Sequence, residues 1–167
     1  MIRMRYNIKK EWKTFFPNIV LGFNDALIGL TGALVGFSFA LREPKLIVIA
    51  GLVTGLSASM SMAASAYQQA RYEKGRNPIK AASFTGVSYF IVTLLLVLPF
   101  VWGSSIVVAL MLMSVLVVLM IAGVSFYSAL LLKRRFMTQC AEMCLCSLGV
   151  ASVTFMLGQA LGAISTV

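Results

Sequence analysis

Ionisable side chains are scarce here, so any that falls inside an apolar stretch calls for a chemical reason. Between Pro17 and Leu41 the only ionisable residue is Asp25, in the run Gly22-Phe23-Asn24-Asp25-Ala26-Leu27-Ile28-Gly29. A carboxylate within hydrocarbon costs at least ~2.5 kcal/mol on insertion scales, which marks it as a place where a cation or proton is handled. Met62 offers a thioether in the second apolar stretch, and Glu142 a second carboxylate in the last. Carboxylate oxygen with thioether sulfur is a mixed ligand set. It disfavours Mg²⁺ and Ca²⁺, which take oxygens. It suits a borderline divalent metal such as Fe²⁺ or Mn²⁺, held weakly enough to leave again. Each residue also has a plainer reading. Asp25 could pair with a neighbouring helix for stability alone, although the apolar stretches hold no Lys, Arg or His to meet it beyond Lys80 at the very edge of the third. Met62 could be ordinary packing. Glu142 could be a carboxylate snorkelling to the interface beside Arg134 and Arg135, or could serve a proton or cation access path.

Cys140, Cys144 and Cys146 share one apolar stretch. Their spacing builds no disulfide framework, and they read as buried thiols, with a soft-metal role as the lesser alternative. Histidine is absent, and only five acids are present. No nucleophile–base pair or carboxylate cluster can be assembled from that inventory, so an enzyme is not expected.

These residues must be positioned by a membrane fold. The 167 residues are 60% hydrophobic and 11% charged, which points to an all-α polytopic membrane protein. Five apolar segments are long enough to cross a bilayer, at about 18–41, 46–70, 79–101, 106–132 and 136–164. Residues 1–16 come before them. Ile8, Trp12, Phe15 and Phe16 recur there at helical spacing between Lys9, Lys10 and Lys13, the pattern of a helix lying in the headgroup layer. Pro17 suits the first turn of a new helix, and residues 17–167 form a single five-helix domain. Asn77 suits the N-cap of the third span. Gly103-Ser104-Ser105 reads as a short hairpin connection.

Twelve of the fourteen Lys and Arg residues fall on one side of this arrangement. The N-terminus is therefore expected in the cytoplasm and the C-terminus outside. The net charge of +9 is topology information. Nucleic acid is not an expected partner, because no aromatic-interleaved basic surface is present. No removable signal peptide is evident.

Depth and helical phase then bring the ligands together. Asp25 lies about 12 Å from the cytoplasmic side, Met62 about 13–14 Å and Glu142 about 9–10 Å, at 1.5 Å per residue. At about 100° per residue, Gly22, Gly29, Gly32 and Gly36 fall within roughly 60° of Asp25. This is a face built for close helix approach, which turns the acid toward protein. Met62 shares its own small-residue face with Gly51, Gly55, Ala58 and Ala66. Packing those two faces together joins carboxylate and thioether. Gly158 and Gly162 form a further small-residue pair for plain helix packing. Met60, Met111, Met113 and Met120 are expected in the core or against lipid.

The run Gly22 to Gly29 resembles the first-helix G-x-N-D-G-L motif of the vacuolar iron transporter (VIT) family. Ser61-Met62-Ala63-Ala64-Ser65-Ala66-Tyr67 resembles that family's second-helix S-M-A-x-G-E-Y motif. The resemblance implies a short, prokaryotic-type homodimer of five-helix subunits in the plasma membrane. It implies export of Fe²⁺ or Mn²⁺ from the cytosol, commonly against protons, with Asp25 and Met62 in a pathway at the dimer interface. The metal is then cargo, and no permanently bound cofactor is expected. The departures are specific. The family's second-helix Glu is Ala66 here, a common acidic position is Thr54, and Ala26 replaces a usual Gly. The Glu-rich metal-collecting domain between the second and third helices is absent, and residues 71–80 are basic instead. Two other readings stay open: a non-transporting assembly or regulatory subunit that kept the fold, and a transporter of another small cation.

Overall fold

The structure of the protein, a computed structural model, describes residues 2–41, 43–102, 105–132 and 136–164. All regular structure among them is helical. Helix α1 spans Ile2–Asp25, a single π-turn covers Ala26–Leu30, and α2 spans Thr31–Ala40. Then come α3 (Pro44–Tyr72), α4 (Pro78–Trp102), α5 (Ile106–Leu132) and α6 (Phe136–Ile164). The α1–π–α2 run is one bent span. With α3 to α6 it makes five stretches long and apolar enough to cross a membrane. The sequence-derived spans agree with these to within about a helical turn.

The connections follow from local chemistry. Pro44 opens α3 after Glu43, whose backbone is extended. This is the position where a missing N–H costs nothing. Gly75 takes φ +81 in the turn after α3, a left-handed conformation that suits glycine. Asn77 caps α4 as expected: its Oδ1 accepts the Ile79 and Lys80 N–H groups at 3.1 and 3.2 Å. Ser105 does the same for α5, its Oγ accepting the Val108 N–H at 3.3 Å. Arg42, the Gly103-Ser104 part of the expected hairpin, Lys133-Arg134-Arg135 and residues 165–167 lie outside the described residues.

Pro17 does not begin a helix; α1 runs through it. An interior proline costs roughly 3 kcal/mol, and packing on either side holds the helix. Phe15 stacks on Phe84 with ring centroids 5.4 Å apart, and Phe16 meets Tyr127 at 5.1 Å. Both phenylalanines are buried. They were expected in the headgroup layer, but α4 and α5 extend far enough to enclose them.

The helices pack in an order the sequence alone does not give. α3 lies along α4, α1 along α4, and α2 along α6, while α5 touches α4 and α6 more lightly. The core is centred on the π-turn. Leu27, Leu30 and Leu34 are fully buried against Ile47, Val92 and Leu96. The far side of α5 is exposed and mostly apolar, with Val108, Leu112, Val115 and Leu119 outward, as a lipid-facing helix requires.

Candidate functional site

The first span sets the site. Asp25 ends α1, and the π-turn begins at the next residue. Such turns are rare and cluster at functional positions. A π-turn holds one residue more than an α-turn, so everything beyond it is rotated by about 100° relative to a straight α-helix. That rotation divides the glycine face expected around Asp25. Gly22 lies against α4, where a Cβ would overlap the Thr85 carbonyl and the Ser88 hydroxyl. Gly32 and Gly36 lie against α6, where Val150 and Thr154 occupy the space a Cβ would need. Gly29 has nothing within 4 Å of where its Cβ would sit. The glycines serve two different neighbours inside the chain, and a uniform 100° count could not show it.

Asp25 itself is exposed on the outside of the bundle, as is Gly29. The sequence expects this acid to face protein, and within one subunit it is left exposed. Next to it on the inner side is Tyr89 of α4, buried and within electrostatic reach of the carboxylate. Asn24, the preceding residue, has its Oδ1 buried with no hydrogen-bond partner.

The second span also differs in detail from expectation. The small residues of α3 pack chiefly against α4. Thr93 fills the space beside Gly55, and Gly86 of α4 sits on Ala63 and the Ser59 carbonyl. Gly51 meets the first span through Leu34. Ala66 is buried, so the position where the family carries a Glu points into this chain's own core. Met62 is half-buried against the same core that holds Ala26 and Leu27, the two residues after Asp25. The π-turn and α3 are in contact. Asp25 is exposed, whereas Met62 is half-buried against the core.

The outer side of α3 carries a feature that reading for glycines missed. Thr54, Ser57, Ser61, Ser65 and Gln68 are all exposed. At about 100° per residue they form one stripe about 80° wide. Beside it, Ile49, Val53, Leu56 and Met60 make an apolar exposed edge of the same helix. The three- and four-residue spacing of hydroxyls inside an apolar span was the signal available in the sequence. Tyr89 had no such signal, because it becomes part of the site only through the α1–α4 packing.

Glu142 is exposed on α6 and makes no ion pair among the described residues. Cys140 and Cys144 are half-buried and free, and a hydrogen bond joins them. Cys146 is free and exposed, so the reading of three buried thiols holds for two at most, because α6 turns its third cysteine outward. Cys144 lines a cavity of about 190 Å³ with Thr31, Met113 and Ser147. Met113 is core, Met60 and Met111 are exposed, and Gly158 packs on the Gly36 backbone as plain helix contact. No group of three or more His, Cys, Asp or Glu side chains converges among the described residues.

Residues 16–76 match the model of the VIT family. The matched segment carries the first two spans, both motifs, Asp25, Met62 and the polar stripe. It points to an integral membrane protein of metal-ion transport. No curated protein and no solved structure gives a significant match to the chain.

Proposed function

We propose that this short VIT-family chain moves a divalent transition metal, Fe²⁺ or Mn²⁺, along a pathway formed where the outer face of Asp25, Gly29 and the α3 stripe meets the same face of a second copy. The observation that carries this reading is the exposure of Asp25. A carboxylate left against lipid costs at least ~2.5 kcal/mol, and hydroxyls and an amide beside it add to the penalty. Only protein, water or a cation relieves that cost in the middle of a bilayer.

A two-fold pairing supplies each ligand twice. Two Asp25 carboxylates bring a charge of −2, which one divalent cation cancels, so the loaded site is neutral overall in a low-dielectric setting. Met62 contributes a thioether from each inner side. The hydroxyls of Thr54, Ser57, Ser61 and Ser65 provide weak oxygen ligands along the way. Sulfur in the set favours Fe²⁺ and Mn²⁺ over Mg²⁺ and Ca²⁺. One carboxylate per chain, with Thr54 and Ala66 in place of acids, makes binding shallow, which helps release. The basic end of the bundle is read as cytoplasmic from the Lys and Arg asymmetry, so flux runs outward from the cytosol. Glu142, exposed on α6 near that end, is the remaining carboxylate for proton exchange.

The test is Mn²⁺ uptake into liposomes holding the purified chain, with Asp25→Asn beside it. Uptake that the substitution abolishes supports the reading; equal uptake in both removes the mechanism. A second reading, a non-transporting subunit that kept the fold, is favoured by the lack of any acidic cluster among the described residues. It predicts no Mn²⁺ binding and a stable protein partner on purification.

A further inference from the structure

The basic end of the first span carries a buried polar side chain that the pathway does not use. Asn18 is buried, and both ends of its amide are engaged. Its Nδ2 donates to Thr85 Oγ1 of α4 at 3.2 Å. Its Oδ1 accepts from Arg76 Nη2 at 2.5 Å. The same Nη2 reaches the Thr14 carbonyl at 3.5 Å, while Nη1 of Arg76 donates to Glu73. The Arg76 Nε is buried with no partner. One guanidinium therefore joins the end of α3 to the first span, and Asn18 passes the connection on to α4.

Asp25 is seven residues beyond Asn18, about 10 Å along the helix and on nearly the same side of it. Between them Gly22 seats the α1 backbone on Thr85 and Ser88. Level with Asp25 comes Tyr89, one turn past Thr85. The α1–α4 seam is thus a ladder with Arg76 at its foot and Asp25 at its head. Glu73 offsets the guanidinium charge, so the foot is not a bare positive barrier to an approaching cation. A planar fork that serves Glu73 and Asn18 at once is chemistry that Arg provides and Lys does not.

We propose that Arg76 is a positioning residue for Asp25: acting through Asn18, it latches α1 onto α4 and so sets the height and rotation of the carboxylate on the open face. The inference rests on the transport reading above for its consequence, though not for its geometry. The seam cannot slide while Asn18 holds both Thr85 and Arg76. Releasing the foot frees two turns of α1 below the π-turn, and the carboxylate loses its fixed place.

The test uses the full chain in liposomes, with Mn²⁺ uptake read as KM and kcat and the thermal midpoint followed in parallel. Arg76→Gln and Asn18→Ala should each raise KM about tenfold, and the double variant should do no more than either, because both act along one path. Arg76→Lys should fall between wild type and Arg76→Gln. A lowered thermal midpoint with unchanged KM, or single effects that multiply in the double variant, would overturn the proposal. A second readout does not need transport. In a chain with Cys140, Cys144 and Cys146 replaced by Ser, the maleimide reactivity of Asp25→Cys should rise about fivefold when Arg76→Gln is added, as local opening at the seam requires. Val115→Cys on α5 should not change. Equal reactivity at position 25 with and without Arg76 refutes the latch. Absence of Mn²⁺ uptake in wild type refutes only the transport reading.

Discussion

Two exposed helix faces of this bundle have opposite chemistry. On α5 the outward residues include Val108, Leu112, Val115 and Leu119, and the exposed hydroxyl among them, that of Ser114, is already satisfied by donating to the Leu110 carbonyl at 2.8 Å. On α3 the outward residues include Thr54, Ser57, Ser61, Ser65 and Gln68, and Asp25 of the first span is exposed as well. Both faces are uncovered in a single chain, yet only one suits lipid. The difference teaches that exposure in an isolated membrane subunit has two meanings: α5 is finished as it stands, whereas the α3 and Asp25 face is complete only against something polar. In a bilayer the candidates are few, namely a second copy, a water-filled path or a bound cation.

The most forceful way to break that contrast is to remove or transplant the charge. Asp25→Asn should lower Mn²⁺ uptake by about a hundredfold, the upper end of what even an outer-shell change costs a metal site. Val115→Asp should cost at least ~2.5 kcal/mol and deplete folded protein in membranes, because lipid gives the new carboxylate no partner. Thr54→Asp should leave folding intact and tighten Mn²⁺ binding, since that position already faces the polar side. Quantitative extraction of folded protein separates the two, and equal loss from both sites would erase the distinction between the faces.

A smaller effect sharpens the division within α3 itself. Gly55→Leu places a side chain where Thr93 stands and should destabilise the chain by about 1–3 kcal/mol, seen as a lower thermal midpoint. Ser57→Leu, on the open stripe, should leave that midpoint nearly unchanged while reducing association of copies in cross-linking of native membranes. Met62→Leu should cut the preference for Mn²⁺ over Mg²⁺ by about tenfold by removing the soft ligand, with little change in stability. The smallest effect belongs to Asn77→Ala, which removes the α4 cap and should cost about 1 kcal/mol without altering KM for the metal.

Much of the fold could be read from sequence because a bilayer leaves few options. Hydrophobic run length gave the five spans, and Asn77 marked where the third begins. Asp25 was legible because a lone acid in an apolar run has no cheap explanation. Helix pairing was not legible. Gly32 and Gly36 were counted on the Asp25 side because the π-turn at Ala26–Leu30 has no sequence mark, and one extra residue per turn redirects all that follows. Phe15 and Phe16 looked like interfacial residues because amphipathic spacing is the same whether the apolar side meets lipid or protein. Tyr89 and the Asn18–Arg76 connection depend on contacts 58 and 67 residues apart in sequence, which no local pattern encodes.

The central claim is that the open face binds a divalent metal between two copies of the chain. Anomalous scattering from crystals soaked in Mn²⁺ addresses it most directly. The account predicts a peak on a two-fold axis, bounded by two Asp25 carboxylates with Met62 sulfur on either side. Asp25 turned to lipid with no metal near it, or a peak bound by residues of one chain away from this face, would contradict it.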